Sequence, residues 1–330
     1  KGILRRGCGG LFPSEICGYP VDVVEARAAI PYGCCRSYCL NYQKKVKLGA
    51  SIGVTNPRKT SGTIGAVVID KKSKRQGILS CEHVCKFDES STKNGVTIYQ
   101  PSHKDLDEQK ESFVIMASNN DKYKELSETA CREIEKDRQD SALARYERGM
   151  RSNFFSDTHK KNFGVDAAFC IFTNKSRTLC PDQFSVYPEY FNRVKLPENT
   201  CLKGFYTYED FDDIDEINVF KVGRGSGLSC GKLIPYRCAI SFDITNKSID
   251  FAKEQDPGEI SQAPSSTDLS DKVFIGYMKS PIFENRQKCY PTVWFDRQLI
   301  IKFEFEGFEC GDSGSSVVDE RGKALGILHA

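Results

Sequence analysis

A serine set between glycines, a histidine that follows an apolar run, and an aspartate inside another apolar run are the residues of this chain whose types could work together. The serine lies in Glu309-Cys310-Gly311-Asp312-Ser313-Gly314-Ser315-Ser316-Val317-Val318. Glycines on both sides let the backbone turn sharply and leave the hydroxyl of Ser313 uncovered. The amides of Gly311 and Ser313 could then point at one spot, the layout of an oxyanion hole beside a nucleophile. The same string also reads as an ordinary turn before a strand, so the rest of the chain decides between the two. A serine attacks only if a base takes its proton. His83, in Cys81-Glu82-His83-Val84-Cys85, ends an apolar strand pattern and opens a polar segment, where a side chain can be both held and exposed. Spacing of the Cys-x-His-x-Cys kind also suggests a metal. In an extended strand residues 81, 83 and 85 would share one face. Zinc wants about four ligands, however, and no fourth is evident. Catalysis is the preferred reading, with no metal and no cofactor. Asp166 sits within Asn162–Phe172, an otherwise apolar run. A buried carboxylate needs a donor, and a histidine would serve. Serine, base, orienting carboxylate and oxyanion donors are then all present.

The elements that must hold these residues read mostly as short strands. Ser61–Asp70 and Gly77–Ser80 form a hairpin pattern around a basic turn, and the second strand runs into His83. Gly95–Pro101, Asn162–Phe172, Ile217–Val222, Thr292–Phe295 and Leu299–Phe305 are further strand patterns, as are Tyr19–Val24 and Cys238–Ile249. Gly223-Arg224-Gly225-Ser226-Gly227-Leu228-Ser229-Cys230-Gly231 lacks the Gly-Lys-Ser/Thr of a phosphate loop. It reads as strand, tight turn, strand. Asp121–Arg151 is dense in charge, with Leu126, Ala130 and Ile134 at four-residue spacing, which predicts one or two helices. A solvated insertion is the preferred reading there, ahead of a partner-binding or lid element. Residues 254–271 read as a surface loop.

A chain of 330 residues, 39% hydrophobic and 28% charged, has material for a sizeable core. A net charge of +2 gives no sign of a nucleic-acid or membrane-surface partner, and no run reaches transmembrane length. Fifteen cysteines fit a secreted disulfide protein or an intracellular one with buried thiols; the cytoplasmic reading is preferred. Cys34, Cys35 and Cys39 are tightly spaced, but no second cluster follows to complete a zinc site.

Three of these stretches resemble one family. Leu79-Ser80-Cys81-Glu82-His83-Val84 resembles the histidine motif of trypsin-like (PA clan) peptidases. Val165-Asp166-Ala167-Ala168 resembles their aspartate motif, and Gly311-Asp312-Ser313-Gly314-Ser315 their nucleophile motif. The order His, Asp, Ser along the chain is also theirs. Ser51-Ile52-Gly53, Ser61–Gly65 and Val222–Gly231 are similar to a narrower group of trypsin-like proteins. In that group a "VGRTTGLTxG"-like turn precedes the Gly-Asp-Ser-Gly motif. The resemblance implies a mainly β, chymotrypsin-like double β-barrel. A Cys-rich extension would cover 1–48, a first barrel 49–205 with the helical insertion 121–151, and a second barrel 206–330 that stops short of closing. It implies a serine endopeptidase acting on a protein or peptide, with His83 as base, Asp166 orienting it, Ser313 attacking and the amides of Gly311 and Ser313 as the oxyanion hole. A catalytically silent module that binds a protein partner through 121–151 is the alternative. His329 falls near positions that read the substrate side chain in some relatives, one residue off the Gly-x-His pattern. Val84 stands where digestive trypsins carry a cysteine. No Ile-Val-Gly-Gly-like start is present, so activation by a new N-terminus is not implied.

Overall fold

The structure is a computed structural model that describes residues 15–16, 19–20, 36–55, 59–86, 95–119, 121–211, 216–243, 292–305 and 307–329. The chain divides into two compact units: residues 1–26 with 239–295, and residues 27–238 with 296–330. In the smaller unit, β1 (Glu15–Ile16) and β2 (Tyr19–Pro20) pair antiparallel. Of the expected strand at 19–24, only these two residues are described, and Cys34, Cys35, the loop 254–271 and residues 244–249 lie outside the described residues.

The larger unit carries the candidate residues. It holds α1 (Arg36–Leu40), β3 (Lys45–Leu48), β4 (Ser51–Ile52), β5 (Gly62–Thr63), β6 (Ala66–Ile69), β7 (Gln76–Ser80), α2 (Glu82–Cys85) and β8 (Thr97–Tyr99). Two helices follow, α3 (His103–Asn119) and α4 (Lys124–Asp140), then β9 (Ala142–Ser156), β10 (Lys161–Phe172), β11 (Thr178–Phe184), α5 (Pro188–Arg193) and β12 (Gly204–Phe205). The later elements are β13 (Ile217–Gly223), β14 (Gly227–Asp243), β15 (Thr292–Phe305), β16 (Ser316–Asp319) and β17 (Lys323–Ile327), of which residues 239–243 of β14 and 292–295 of β15 are counted in the smaller unit. One sheet has the order β6-β7-β10-β9-β8 and another β12-β17-β16-β13-β14-β15. The chain is mainly β, consistent with the chymotrypsin-like fold.

The hairpin expected over 61–80 forms, with Val67 opposite Ile78. Asp70 makes its turn: Oδ2 accepts the amide of Ser73 at 2.8 Å. The stretch 223–231 is a strand, a tight turn and a strand, with Gly223 opposite Gly227. The two strands expected at 292–295 and 299–305 are one, β15.

The charged segment departs from expectation. Helix begins earlier, at His103, and ends at Asp140; residues 142–151 are strand, not helix. Arg145, Glu147, Arg148 and Arg151 give that segment a charge density that resembles a solvated helix. Pairing with β10 along nearly its whole length overrides the local pattern.

Alternation sorts the side chains of β13. Phe220 and Val222 enter the main core with Ile78, Ile98, Ala168 and Cys170, while Val219 joins Leu233, Val317 and Leu325 on the opposite face. One buried cation ties separate segments of the first half together. Arg177 donates to the carbonyls of Gln43, at 2.6 Å, and Gln100, at 2.9 Å. Burial draws its pKa down to about 10. Replacing Arg177 with leucine leaves both carbonyls without this donor. The expected cost is about 2–3 kcal/mol of unfolding free energy, read from urea denaturation at constant m-value.

Candidate active site

Strand β7 delivers the chain at Cys81 to the single-turn helix α2. That helix has no side-chain cap of its own, and the first amides of any helix need acceptors from outside it. Asp166 supplies them. Its Oδ1 accepts the amide of Glu82 at 2.7 Å and that of His83 at 3.3 Å. Position on β10 makes this possible, because Ala168, two residues along, is already opposite Ser80. The second carboxylate oxygen, Oδ2, lies 2.6 Å from His83 Nδ1. A carboxylate only accepts, so Nδ1 carries the proton there and Nε2 presents its lone pair. Burial alone would raise the Asp166 pKa. The hydrogen bond and charge of His83, with Arg151 at 3.5 Å, outweigh it and hold the carboxyl below its usual range.

Glu82, beside His83, is buried as well. Tyr146 donates to both of its oxygens, at 2.8 and 3.0 Å. Burial, aided by the nearby charge of Asp166, still pushes its carboxyl upward.

Ser313 is packed against the same end of β7. Its carbonyl accepts the amide of Thr63 at 2.9 Å, and Gly314 N donates to Leu328 O at 2.8 Å. Cys81 Sγ donates to that same Leu328 carbonyl at 3.3 Å. Gly311 and Gly314 take φ of +101° and +97°, values that L side chains avoid. Within the turn, Asp312 N donates to Glu309 O and Ser315 N to Asp312 O, each at 3.0 Å. Among the described residues, the amides of Gly311 and Ser313 donate to no protein acceptor. Ser313 is only 6% exposed, and buried amides without acceptors are rare. No hydrogen bond joins Ser313 Oγ to His83 among the described residues.

His329, expected beside the substrate side chain, lies within electrostatic reach of both Asp166 and His83. Its Nε2 sits 2.6 Å from Gln298 Oε1, and burial lowers its pKa.

Cys81, His83 and Asp166 bring three ligand atoms within 4.8 Å of one another. Each is already engaged. Nδ1 and Oδ2 face each other, and the Cys81 thiol donates to Leu328 O, its pKa raised by burial. Zinc requires the thiolate and about four ligands, so the cluster fits a hydrogen-bonded pair better than a metal. Residues 82–85 are helical rather than extended, so Cys85 leaves the face of Cys81 and His83 that an extended strand would give it.

Three residues near the nucleophile turn escaped the sequence reading: Asp105, Lys221 and Arg224. All three are buried. Lys221 had a visible signal, a charge inside the apolar run Ile217–Val222, of the same kind that singled out Asp166.

No family model matches the chain, and no curated protein does. Among solved structures it is similar to the crystal structure of Cellulomonas bogoriensis chymotrypsin, at 11% identity and a TM-score of 0.35, over 86% of this chain and 81% of that one.

Acid should act through Asp166 and Asp312, whose folded pKa values both lie below the ordinary carboxylate value. A depressed folded value gives stabilisation that is complete above the unfolded pKa of about 3.9 and is lost as pH falls through the lower folded value. The urea midpoint is expected to drop below about pH 4, and Asp166→Asn to flatten that acid limb. An unchanged acid limb in Asp166→Asn and in Asp312→Asn alike would count against this account.

Proposed function

We propose that the chain is a trypsin-like serine endopeptidase that cleaves protein or peptide substrates through an acyl-enzyme. The observation that carries this reading is the pattern of amide use in the nucleophile turn. The amides of Glu309, Asp312, Gly314 and Ser315 are bonded within the protein, whereas those of Gly311 and Ser313, like that of the exposed Cys310, are left over among the described residues. Such a donor pair is suited to a charge that exists only during reaction. The His83–Asp166 contact at 2.6 Å adds the base and its orienting group.

In the proposed reaction, Ser313 Oγ attacks the scissile carbonyl carbon as its proton passes to His83 Nε2. The new C–O bond puts the carbonyl electrons on oxygen, facing the amides of Gly311 and Ser313. Collapse breaks the C–N bond, and the Nε2 proton leaves with the amine. Water then repeats the sequence on the acyl-enzyme and frees the acid. The missing Ser313–His83 hydrogen bond is compatible with this, since such bonds often tighten only with substrate bound.

A fluorophosphonate probe should label the folded chain at Ser313. Ser313→Ala should abolish labelling, and Asp166→Asn should slow it about 10⁴-fold by favouring the wrong tautomer. A folded wild-type chain that resists the probe would defeat the reading.

A second reading, a silent module that binds a protein partner, is favoured by exposed Val114, Ile115, Tyr123 and Leu126 on and between α3 and α4. That reading expects no labelling of the wild type, and loss of the partner when Ile115 and Leu126 become glutamate.

A further inference from the structure

The nucleophile turn rests on two buried cations, and both bear on the direction of the two unpartnered amides. A peptide unit is planar and trans, so its C=O and N–H point in opposite directions. Whatever holds the carbonyl of Cys310 therefore aims the N–H of Gly311, and whatever holds the carbonyl of Asp312 aims the N–H of Ser313.

Arg224 Nη1 donates to Cys310 O at 3.3 Å. Its side chain lies against Gly311, where a Cβ would come within 2.6 Å of Arg224 Cδ. Arg224 is itself fixed. Its Nε donates to Asp105 Oδ1 at 2.6 Å and its Nη2 to Glu108 Oε2 at 2.9 Å, both carboxylates coming from α3. Arg224 N donates to Thr63 Oγ1 at 2.9 Å, and that hydroxyl donates to Gly311 O at 2.7 Å.

On the other peptide, Asp312 O accepts the hydroxyl of Ser315 at 2.7 Å. The side chain between the two peptides, Asp312, is saturated. Oδ1 accepts the amides of Gly225 at 2.8 Å and Ser226 at 3.0 Å. Oδ2 accepts Lys221 Nζ and Ser226 Oγ at 2.8 Å each, and Glu309 N at 2.9 Å. Lys221 is 0% exposed, which is very rare for a lysine without a partner. The glycines of the 223–227 stretch let this loop close down. A Cβ on Gly223 would lie 2.3 Å from Asp312 Oδ1, and one on Gly225 would lie 2.9 Å from Cys310 O.

We propose that Arg224 and Lys221 are positioning residues of the oxyanion hole: Arg224 aims the Gly311 amide through the Cys310 carbonyl, and Lys221 anchors the turn through Asp312. This rests on the hydrolase reading above. It also gives α3 a role, since Asp105 and Glu108 set Arg224 in place. The donors to the Asp312 carboxylate come from Lys221, Gly225, Ser226 and Glu309.

Removing one member of either pair leaves a buried charge and is expected to destabilise the fold; removing both charges restores much of the stability. The test therefore uses the neutral pairs Arg224→Met with Asp105→Asn, and Lys221→Met with Asp312→Asn, in the full chain. Thermal unfolding and the fluorophosphonate rate constant at Ser313 are measured together. Each pair is expected to melt near the wild type yet label about 10²-fold slower, the loss typical of one oxyanion donor. A pair that melts and labels like the wild type overturns the role of its cation. Ser226→Ala, which keeps both charges and removes one donor to Asp312, decides if the pairs do not fold. It should label about tenfold slower, an effect of about 1.4 kcal/mol, and a wild-type rate overturns the proposal. Failure of the wild type itself to label defeats the hydrolase reading, and the positioning role falls with it. A labelled wild type with unaffected variants defeats the positioning role alone.

Discussion

A carboxylate taken out of water must find its donors inside the protein, and the turn that holds Ser313 is shaped around one that has. Asp312 lies fully buried between the two amides of interest, and its oxygens are met by backbone, hydroxyl and ammonium donors from two segments distant in sequence. Burial alone would raise its pKa, yet Lys221 and the amides of Glu309 and Ser226 hold it ionised. Burial also draws the Lys221 pKa down against the pull of Asp312. Each charge is tolerable only because the other is there. The turn, the β13–β14 loop and the segment 309–312 therefore form one structural unit.

The second carboxylate, Asp166, solves a different local problem with the same chemistry. Helix α2 is too short to satisfy its own leading amides and has no capping side chain. Asp166 meets both amides with one oxygen and keeps the other for His83. The orientation of the imidazole is thus inherited from the pairing of β7 with β10, which sets where α2 begins. A slip of one residue in that register would move Asp166 to the other face of its strand.

Much of this was legible in the sequence. His83, Asp166 and Ser313 stood out because each breaks a local pattern, and the hairpin that delivers His83 announced itself through β-branched residues around a basic turn. The charged segment was harder to read. Among the described side chains of α3 only Asp105 and Leu106 are buried, so the helix has no broad apolar stripe to reveal it. In β9 Arg145, Arg148 and Arg151 are exposed, and the segment is strand because it pairs with β10, which in turn pairs with the distant β7. Lys221, Arg224 and Asp105 were missed for a related reason. Burial of an ionisable side chain is decided by tertiary packing, and Asp105 and Arg224 meet only in the folded chain.

The glycines around Ser313 carry a consequence for how such a chain can diversify. A methyl group at Gly62 would come within 3.1 Å of Ser313 O, and one at Gly65 within 2.2 Å of Gly314 O. Gly311 and Gly314 adopt backbone angles closed to other side chains. The immediate frame of the serine is thus a zone of forbidden variation, contributed by segments some 250 residues apart in sequence. A mutational library would spend its variants poorly at these four positions.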